Sequence, residues 1–426
     1  MDILRNIGLY GFFLSVLVLS VSCNTQHSNM KENTITAADI LGNPKYPAIS
    51  YGGYRRKSRD IQPTVEELKE DLKILSAMGI RILRTYNVQL PHASNILKAI
   101  KALKSEDPDF EMYVMLGAWI DCLNAWTPHV VNHYVESPHN ADEIQRAVAL
   151  ANEYSDIVKV LAVGNEAMVK WATSYYVQAD VILKWVNHLQ QLKQDGALPQ
   201  SLWITSSDNF ASWGGGDSEY HNASLEALVA AVDYISMHTY PFHDTHYNAG
   251  FWEADPEDVE GQSQLEQIQT AMLNARDYAI GQYTSVKDYV AGLGIEKPIH
   301  IGETGWATIS GGFYGRKGSH AADEYKQALY YKFMRTWTNE NNIACFFFEA
   351  FDERWKDANN SKGSENHFGL FTVDGKAKYA LWDLVDKGVF DGLTRKENPI
   401  VKTFKGSTEN LFVSVIPPIL LEPKLN

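Results

Sequence analysis

Between residues 48 and 351 the chain repeats one rhythm: a short apolar run, a polar or aromatic loop, then an amphipathic stretch. The runs are "AISYGGY" near 48, "IRILRTYN" near 80, "EMYVMLGAWI" near 111 and "IVKVLAVGNEAM" near 157. They continue with "SLWITSSD" near 201, "DYISMHTYPF" near 233, "PIHIGETGWAT" near 298 and "IACFFFEAF" near 343. None alternates cleanly between apolar and polar, which is the pattern of strands buried on both faces.

The intervals carry helical spacing. In "TVEELKEDLKILSAMG", Thr64 and Glu67 form a capping-box signature, Leu68, Leu72 and Leu75 share one face, and Gly79 suits the C-terminal cap. Comparable stretches are "NILKAIKALK", "ADEIQRAVALANEYS", "ADVILKWVNHLQQLK", "SLEALVAAV", "EQIQTAMLNARDYAI" and "EYKQALYYKFMRTW". Eight strands alternating with helices predict an α/β fold, a (β/α)8 barrel over residues 41–395. The rival is an open doubly wound sheet, but no Gly-x-Gly-x-x-Gly follows the first strand. The stretch "PFHDTHYNAGFWEADPEDVEG" after the sixth run has no pattern and reads as an enlarged loop or small subdomain beside the barrel mouth. Residues 396–426 read as a proline-broken tail packed on the barrel exterior.

The first 40 residues differ in kind. Arg5 precedes an apolar stretch from Ile7 to Val21, which meets Ser22-Cys23 and then polar sequence. A run this short with a positive flank reads as an export signal over 1–22, not a permanent span. The small residue before Cys23 resembles a bacterial lipoprotein signal, in which that cysteine is lipidated, with 23–40 as a polar tether. Ser20 stands where such signals carry leucine, so ordinary secretion is the alternative. The expected location is therefore outside the cytoplasm, on a lipid anchor in a bacterial outer membrane, or periplasmic or secreted. Cys122 and Cys345 then remain, and the barrel puts them on non-adjacent strands as unpaired thiols.

Lysine plus arginine number 38 against 52 acids, a formal charge of −14. This excludes nucleic acid as a partner, because phosphate binding needs clustered cations. It leaves the membrane accessible only through an anchor.

Catalytic groups of a barrel collect at the C-terminal strand ends. Four acids stand there: Glu166 after the fourth run, Glu303 after the seventh, Glu349 and Glu353 at and after the eighth. Asn152-Glu153 and Asn339-Glu340 lie in helical patterns and read as solvated faces, whereas Asn165-Glu166 closes a buried strand. Three βα units separate Glu166 from Glu303, so they stand on roughly opposite walls. Such a pair suits glycoside hydrolysis, one acid protonating the leaving oxygen and the other attacking the anomeric carbon. The bland alternative is an acid that has merely reached solvent.

"AVGNEAM", "IGETGWAT" and "FFFEAFDERWK", in this order and spacing, resemble glycoside hydrolase family 17, with "SYGGYR" as its opening and "ENHFGLFTVDGKAKYAL" as its closing segment. The resemblance covers about residues 48–385. It implies a barrel with the acid/base Glu166 on strand four and the nucleophile Glu303 on strand seven, no cofactor, and β-1,3-glucan as partner. It further implies that Asn165 bonds the sugar 2-hydroxyl, Arg84 keeps Glu303 ionised and Tyr240 bonds the nucleophile. Tyr51, Tyr86, Glu349, Glu353 and Lys356 join the substrate-binding set, and Trp306 packs under the sugar. Ala307 replaces a proline usual in plant members, and "RRKSRDIQPT" replaces their Asn-Asn-Leu-Pro, so subsite detail is open.

Trp119, Trp126, Trp171, Trp213, Trp252 and Trp355 all follow strands and are candidate stacking platforms. His238, His243 and His246 invite a metal reading, which the irregular loop around two of them and the metal-free chemistry argue against. The expected activity is retaining, endo-acting hydrolysis of laminarin-type glucan by a monomer. A transglucosylase using the same intermediate and a non-catalytic glucan-binding lipoprotein are the alternatives.

Overall fold

The computed structural model describes residues 35–420; the export signal and the Cys23 lipidation site lie outside the described residues. Eight strands close a parallel barrel: β1 (Ala48–Ser50), β2 (Ile82–Arg84), β3 (Tyr113–Ala118), β4 (Val158–Asn165), β5 (Trp203–Asn209), β6 (Ile235–His238), β7 (Ile299–Gly305) and β8 (Cys345–Phe348). Each pairs in parallel with its sequence neighbours, and β1 pairs with β8 to close the ring. The fold is the expected (β/α)8 barrel.

The helices include α1 (Val65–Ala77), α2 (Pro91–Glu106), α3 (Asn140–Glu153), α4 (Ala179–Gln194), α5 (Ala223–Ala231), α6 (Gln264–Gly292), α7 (Glu324–Glu340) and the short α8 (Trp382–Asp386). In α1 the Thr64 hydroxyl accepts from the Glu67 backbone while Glu67 reaches back, and Leu68, Leu72 and Leu75 are buried. That apolar stripe packs with Ile49 and Leu83 in the layer between strands and helices. Inside the barrel, Ala48, Ile82, Met115, Val160, Ala162 and Phe346 form a separate core.

Two boundaries differ from expectation. Residues 37–40 form a helical turn whose Ala37 and Ile40 join the barrel-interior core, so the ordered barrel begins before residue 41. After β6 the expected enlarged loop carries a short helix, Pro241–Tyr247, followed by a turn at Ala249–Phe251. The 395/396 border falls inside an antiparallel ribbon pairing Thr394–Arg395 with Asn398–Pro399. Beyond it, residues 413–420 lie along the segment after β7. Lys326 Nζ donates to the Ile416 carbonyl (2.7 Å), His320 to that of Pro417 (2.9 Å) and Arg316 to that of Val413 (3.0 Å).

A two-stranded hairpin that the hydrophobic pattern does not announce, Cys122–Leu123 with Asn132–Glu136, rises between β3 and α3. Cys122 and Cys345 are buried free thiols.

Candidate active site

The end of β4 is shaped by two left-handed residues. Gly164 has φ +80°, and a Cβ there would sit 2.8 Å from Ala167 Cβ, so only glycine fits. Glu166 itself adopts φ +46°, and its N–H donates to the Ser207 carbonyl of β5 (3.0 Å). Between these kinks Asn165 and Glu166 turn out of the apolar strand into the barrel mouth. A non-glycine residue in this region costs about 1–2 kcal/mol and is held only by its surroundings.

Glu303 faces inward from β7 and is buried. Its Oε2 accepts from Arg84 and from the Tyr86 hydroxyl (2.7 Å), and its Oε1 from the Tyr240 hydroxyl (2.6 Å). Burial pushes this carboxyl up, but the Arg84 charge, the nearby His238 and the two phenols outweigh it and hold the group below the ordinary carboxylate range. Arg84 also donates to Asn165 Oδ1 (2.5 Å), so one guanidinium fixes both the strand-four amide and the strand-seven acid.

Glu166 is met by a histidine. His238 Nδ1 lies 3.0 Å from Glu166 Oε1, while its Nε2 lies 2.7 Å from Ser207 Oγ, itself 2.9 Å from Ser236 Oγ. These hydroxyls fit because β7 carries Gly302 there: a Cβ would come within 2.0 Å of Ser236 Oγ. Beside them Asp208 is buried, its carboxylate accepting from Met168 N (2.8 Å) and Asn209 N (2.8 Å). Burial pushes Asp208 up to about 7, and the Glu166 charge adds to the rise against the Met168 bond and His238.

His238 and Asp208 were not among the sequence-level site residues. A signal for His238 existed, since it stands two positions before Tyr240 and strand alternation puts both on one face. Asp208 carried the same signal as Glu166 and Glu303, an acid closing its run (here the fifth), but no motif around it set it apart from a solvated acid. Of the other histidines, His243 lies 3.0 Å from the Tyr314 hydroxyl and His246 stacks on Phe313.

Two cavities meet over Glu303, Phe348 and Glu365. The first, about 770 Å³, is lined by Asn165, Tyr86, Tyr54, Trp119, Trp126, Tyr175, Trp355, Glu353 and Lys356, among others. The second, about 660 Å³, holds Glu166 with Trp171, Tyr240 and Tyr247. Both carboxylates therefore open on one continuous cleft.

The polar group after β8 divides. Lys356 Nζ lies 2.6 Å from Glu349 and 3.6 Å from Glu353. Glu353 and Lys356 line the first cavity, whereas Glu349 lies beneath them. Burial drives the Glu349 carboxyl well up against the pull of Lys356. Glu353 also accepts from Tyr54 N (3.0 Å) and the Trp355 indole (2.8 Å), fixing the wall that carries both rings.

Besides Glu349, two further expected residues do not reach the cleft. Trp306 is fully buried among Phe242, Trp252 and Tyr330, with its indole donating to the Ala321 carbonyl (2.8 Å). Glu303 faces the lumen, so period-two alternation turns Thr304 and Trp306 toward the helices. Tyr51 is likewise on the outer face of β1's extension, where its hydroxyl donates to the buried Asp71 (2.9 Å). Among the candidate platforms, Trp213 and Trp252 are core residues bonded to the Ser236 and Ser319 carbonyls. Trp119, Trp126, Trp171 and Trp355 line the cavities.

The family described as BtgE/BtgC glycoside hydrolase domain matches residues 48–369. The chain belongs to that family. It is a glycosidase by that membership, and Glu166 and Glu303 both line its cleft. A glucan 1,3-beta-glucosidase of Arthroderma benhamiae is 26% identical, the alignment covering 74% of this chain and 83% of the relative. A probable glucan endo-1,3-beta-glucosidase of Aspergillus flavus is 24% identical over 85% of this chain, which spans about half (47%) of that longer protein. Among solved structures, an endo-laminarinase from Formosa Hel1_33_131 superposes with a TM-score of 0.90 at 67% identity, covering 91% of this chain and 98% of the other. A β-1,3-glucanosyltransferase from Rhizomucor miehei shares the fold, with a TM-score of 0.54 at 20% identity.

Proposed function

We propose that this glycosidase is a retaining β-1,3-glucanase of the family 17 type, cutting laminarin-like chains internally. The observation that carries the reading is Glu303, held by Arg84, Tyr86 and Tyr240 and opening on the same cleft as Glu166. The names of the relatives support the substrate class.

In the first step the Glu303 carboxylate attacks C1 of the sugar above it while Glu166 gives its proton to the departing glycosidic oxygen. The C1–O bond breaks, a Glu303–C1 ester forms, and the shortened chain leaves with a new hydroxyl. In the second step Glu166, now ionised, takes a proton from water as that water displaces Glu303 from C1. Two inversions restore the β configuration. His238, bonded to Glu166 Oε1, keeps the acid directed at the bond. Asn165 is fixed by Arg84 to meet the 2-hydroxyl, where a hydrogen bond strengthens as ring charge develops.

Polarity follows from the cavities. The departing sugar lies on Glu166's side, in the second cavity, so the non-reducing part of the chain runs through the first. The exposed Trp171 and Tyr247 of the second cavity also favour a second reading, in which a bound sugar replaces water and the product is a longer chain.

The test is proton NMR of the first product, with chain lengths sized over time. The β anomer with a spread of internal products is expected, and an initial α anomer overturns the mechanism. Glu303→Ala abolishes cleavage and azide restores part of it as a glycosyl azide. Products longer than the donor select transfer. We also propose export on a Cys23 lipid anchor, tested by radiolabelled palmitate incorporation into the parent and not into Cys23→Ser.

A further inference from the structure

The hairpin Cys122–Leu123/Asn132–Glu136 is an addition to the barrel that brings no residue to the reacting centre. It presents Trp126, which is 64% exposed, at φ +60°, with Asn124 at +66° in the same turn. Two non-glycine residues in the left-handed region is an expensive way to build a turn, and its result is an indole standing in water at the rim of the first cavity.

That indole is held from behind. Trp126 stacks on Tyr175 at 5.0 Å and 22°, and Trp119 closes on Tyr175 at 5.3 Å. Residue 121 is clamped by Asn140, whose Oδ1 accepts from Asp121 N (3.1 Å) and whose Nδ2 donates to the Asp121 carbonyl (2.9 Å). The buried Glu143 takes the Trp119 backbone N–H (3.1 Å) together with that of Val88 (2.6 Å). An exposed aromatic whose neighbours are fixed at this many points is preorganised for a flat, partly apolar partner.

We propose that Trp126, backed by Tyr175 and Trp119, is a distal platform on which a glucopyranose of the same chain stacks, several sugars to the non-reducing side of the cleavage point. The occupant follows from continuity: Trp126 lines the same cavity as Asn165 and Glu303, and that cavity is large enough for several sugars. The proposal rests on the reading of the active site above. Its consequence is a preference for long chains, since short oligosaccharides that fill the centre never reach the hairpin.

The experiment measures kcat/KM for β-1,3-glucose oligosaccharides of rising length with the parent, Trp126→Ala and Tyr134→Ala. Tyr134, 80% exposed on the same hairpin and outside the cavity lining, is the control. The parent's kcat/KM rises with length. In Trp126→Ala the ratio of kcat/KM on the longest chain to that on the shortest one cut falls roughly tenfold, carried by KM, which is about 1.4 kcal/mol of lost binding. Tyr134→Ala keeps the parent's ratio. An unaltered ratio in Trp126→Ala, or an equal fall in Tyr134→Ala, overturns the platform. If the parent cuts none of these chains, the active-site reading fails separately. Fluorescence titration with laminarin, mixed-linkage and β-1,4-glucans then decides the platform. A saturable indole quench that Trp126→Ala removes keeps it, and no saturable quench in the parent sinks it.

Discussion

Arg84 and Glu303, 219 positions apart in the chain, form a buried ion pair at the floor of the cleft, and the same guanidinium holds Asn165. One side chain of β2 thus sets both the charge of one group and the orientation of another. It ties β2, β4 and β7 together at the point where the glycosidic bond must lie.

Arg84→Met removes that charge. kcat/KM should fall at least about a hundredfold, and the acid limb of its pH profile should move up by roughly 1–3 units, because an adjacent cation lowers a carboxyl by that amount. The measurement is kcat/KM against pH on folded protein, confirmed by circular dichroism. An acid limb that stays in place would show that the phenols alone keep Glu303 ionised.

Asp208 gives a pH-dependent stability. Its folded pKa, about 7, lies above the ordinary aspartate value, so between about pH 4 and 7 the folded state binds more protons than the unfolded one. Its contribution to stability is present below pH 4 and declines as pH rises through 7. The difference in urea unfolding free energy between the parent and Asp208→Asn should therefore shrink or reverse across that window. A difference that is flat with pH rejects the assignment.

Gly164→Ala should destabilise by about 1–2 kcal/mol through its left-handed backbone and reduce kcat well beyond that, because the strain is released by moving Asn165 and Glu166. Thermal melting and kcat measured together check this. Equal, small effects on both would mean the turn tolerates a Cβ by shifting Ala167 alone.

Trp306→Leu separates packing from binding. With the indole buried and bonded to Ala321, the variant should lose about 2–4 kcal/mol of stability while KM for laminarin on the folded fraction changes less than twofold. A raised KM without lost stability would restore Trp306 to the cleft.

The barrel was legible because each of its strands is an apolar run bounded by loop residues and each helix carries a 3.6-residue stripe. That Glu166 and Glu303 share one cleft was legible because both close such runs. Tyr51 and Trp306 were misplaced for one reason: a motif fixes position along the chain, whereas alternation about Glu303 and Ile49 decides which side of the strand a ring takes. The cleft hairpin escaped because strands of two and five residues, largely exposed, give no hydrophobic period. His238 shares a strand face with Tyr240, but its partner Glu166 lies 72 positions away, so the face was legible and the contact was not.

Asp71 of α1 is buried and receives Tyr51, Arg55 Nη2 (2.7 Å) and both Nε and Nη2 of Arg395 (2.8 and 3.0 Å). Asp71→Ala strands two buried guanidiniums and should cost about 3–5 kcal/mol, read by urea unfolding. An unchanged midpoint would show that water replaces the carboxylate.

The same contact imposes an order of events at the ribosome. Arg395 follows Asp71 by 324 residues, and β8, which seals β1, is itself made late. A nascent chain carrying only its first helices has neither the counter-charge nor the closing strand, so the ring can close only once β8 has been made, and Asp71 gains Arg395 later still.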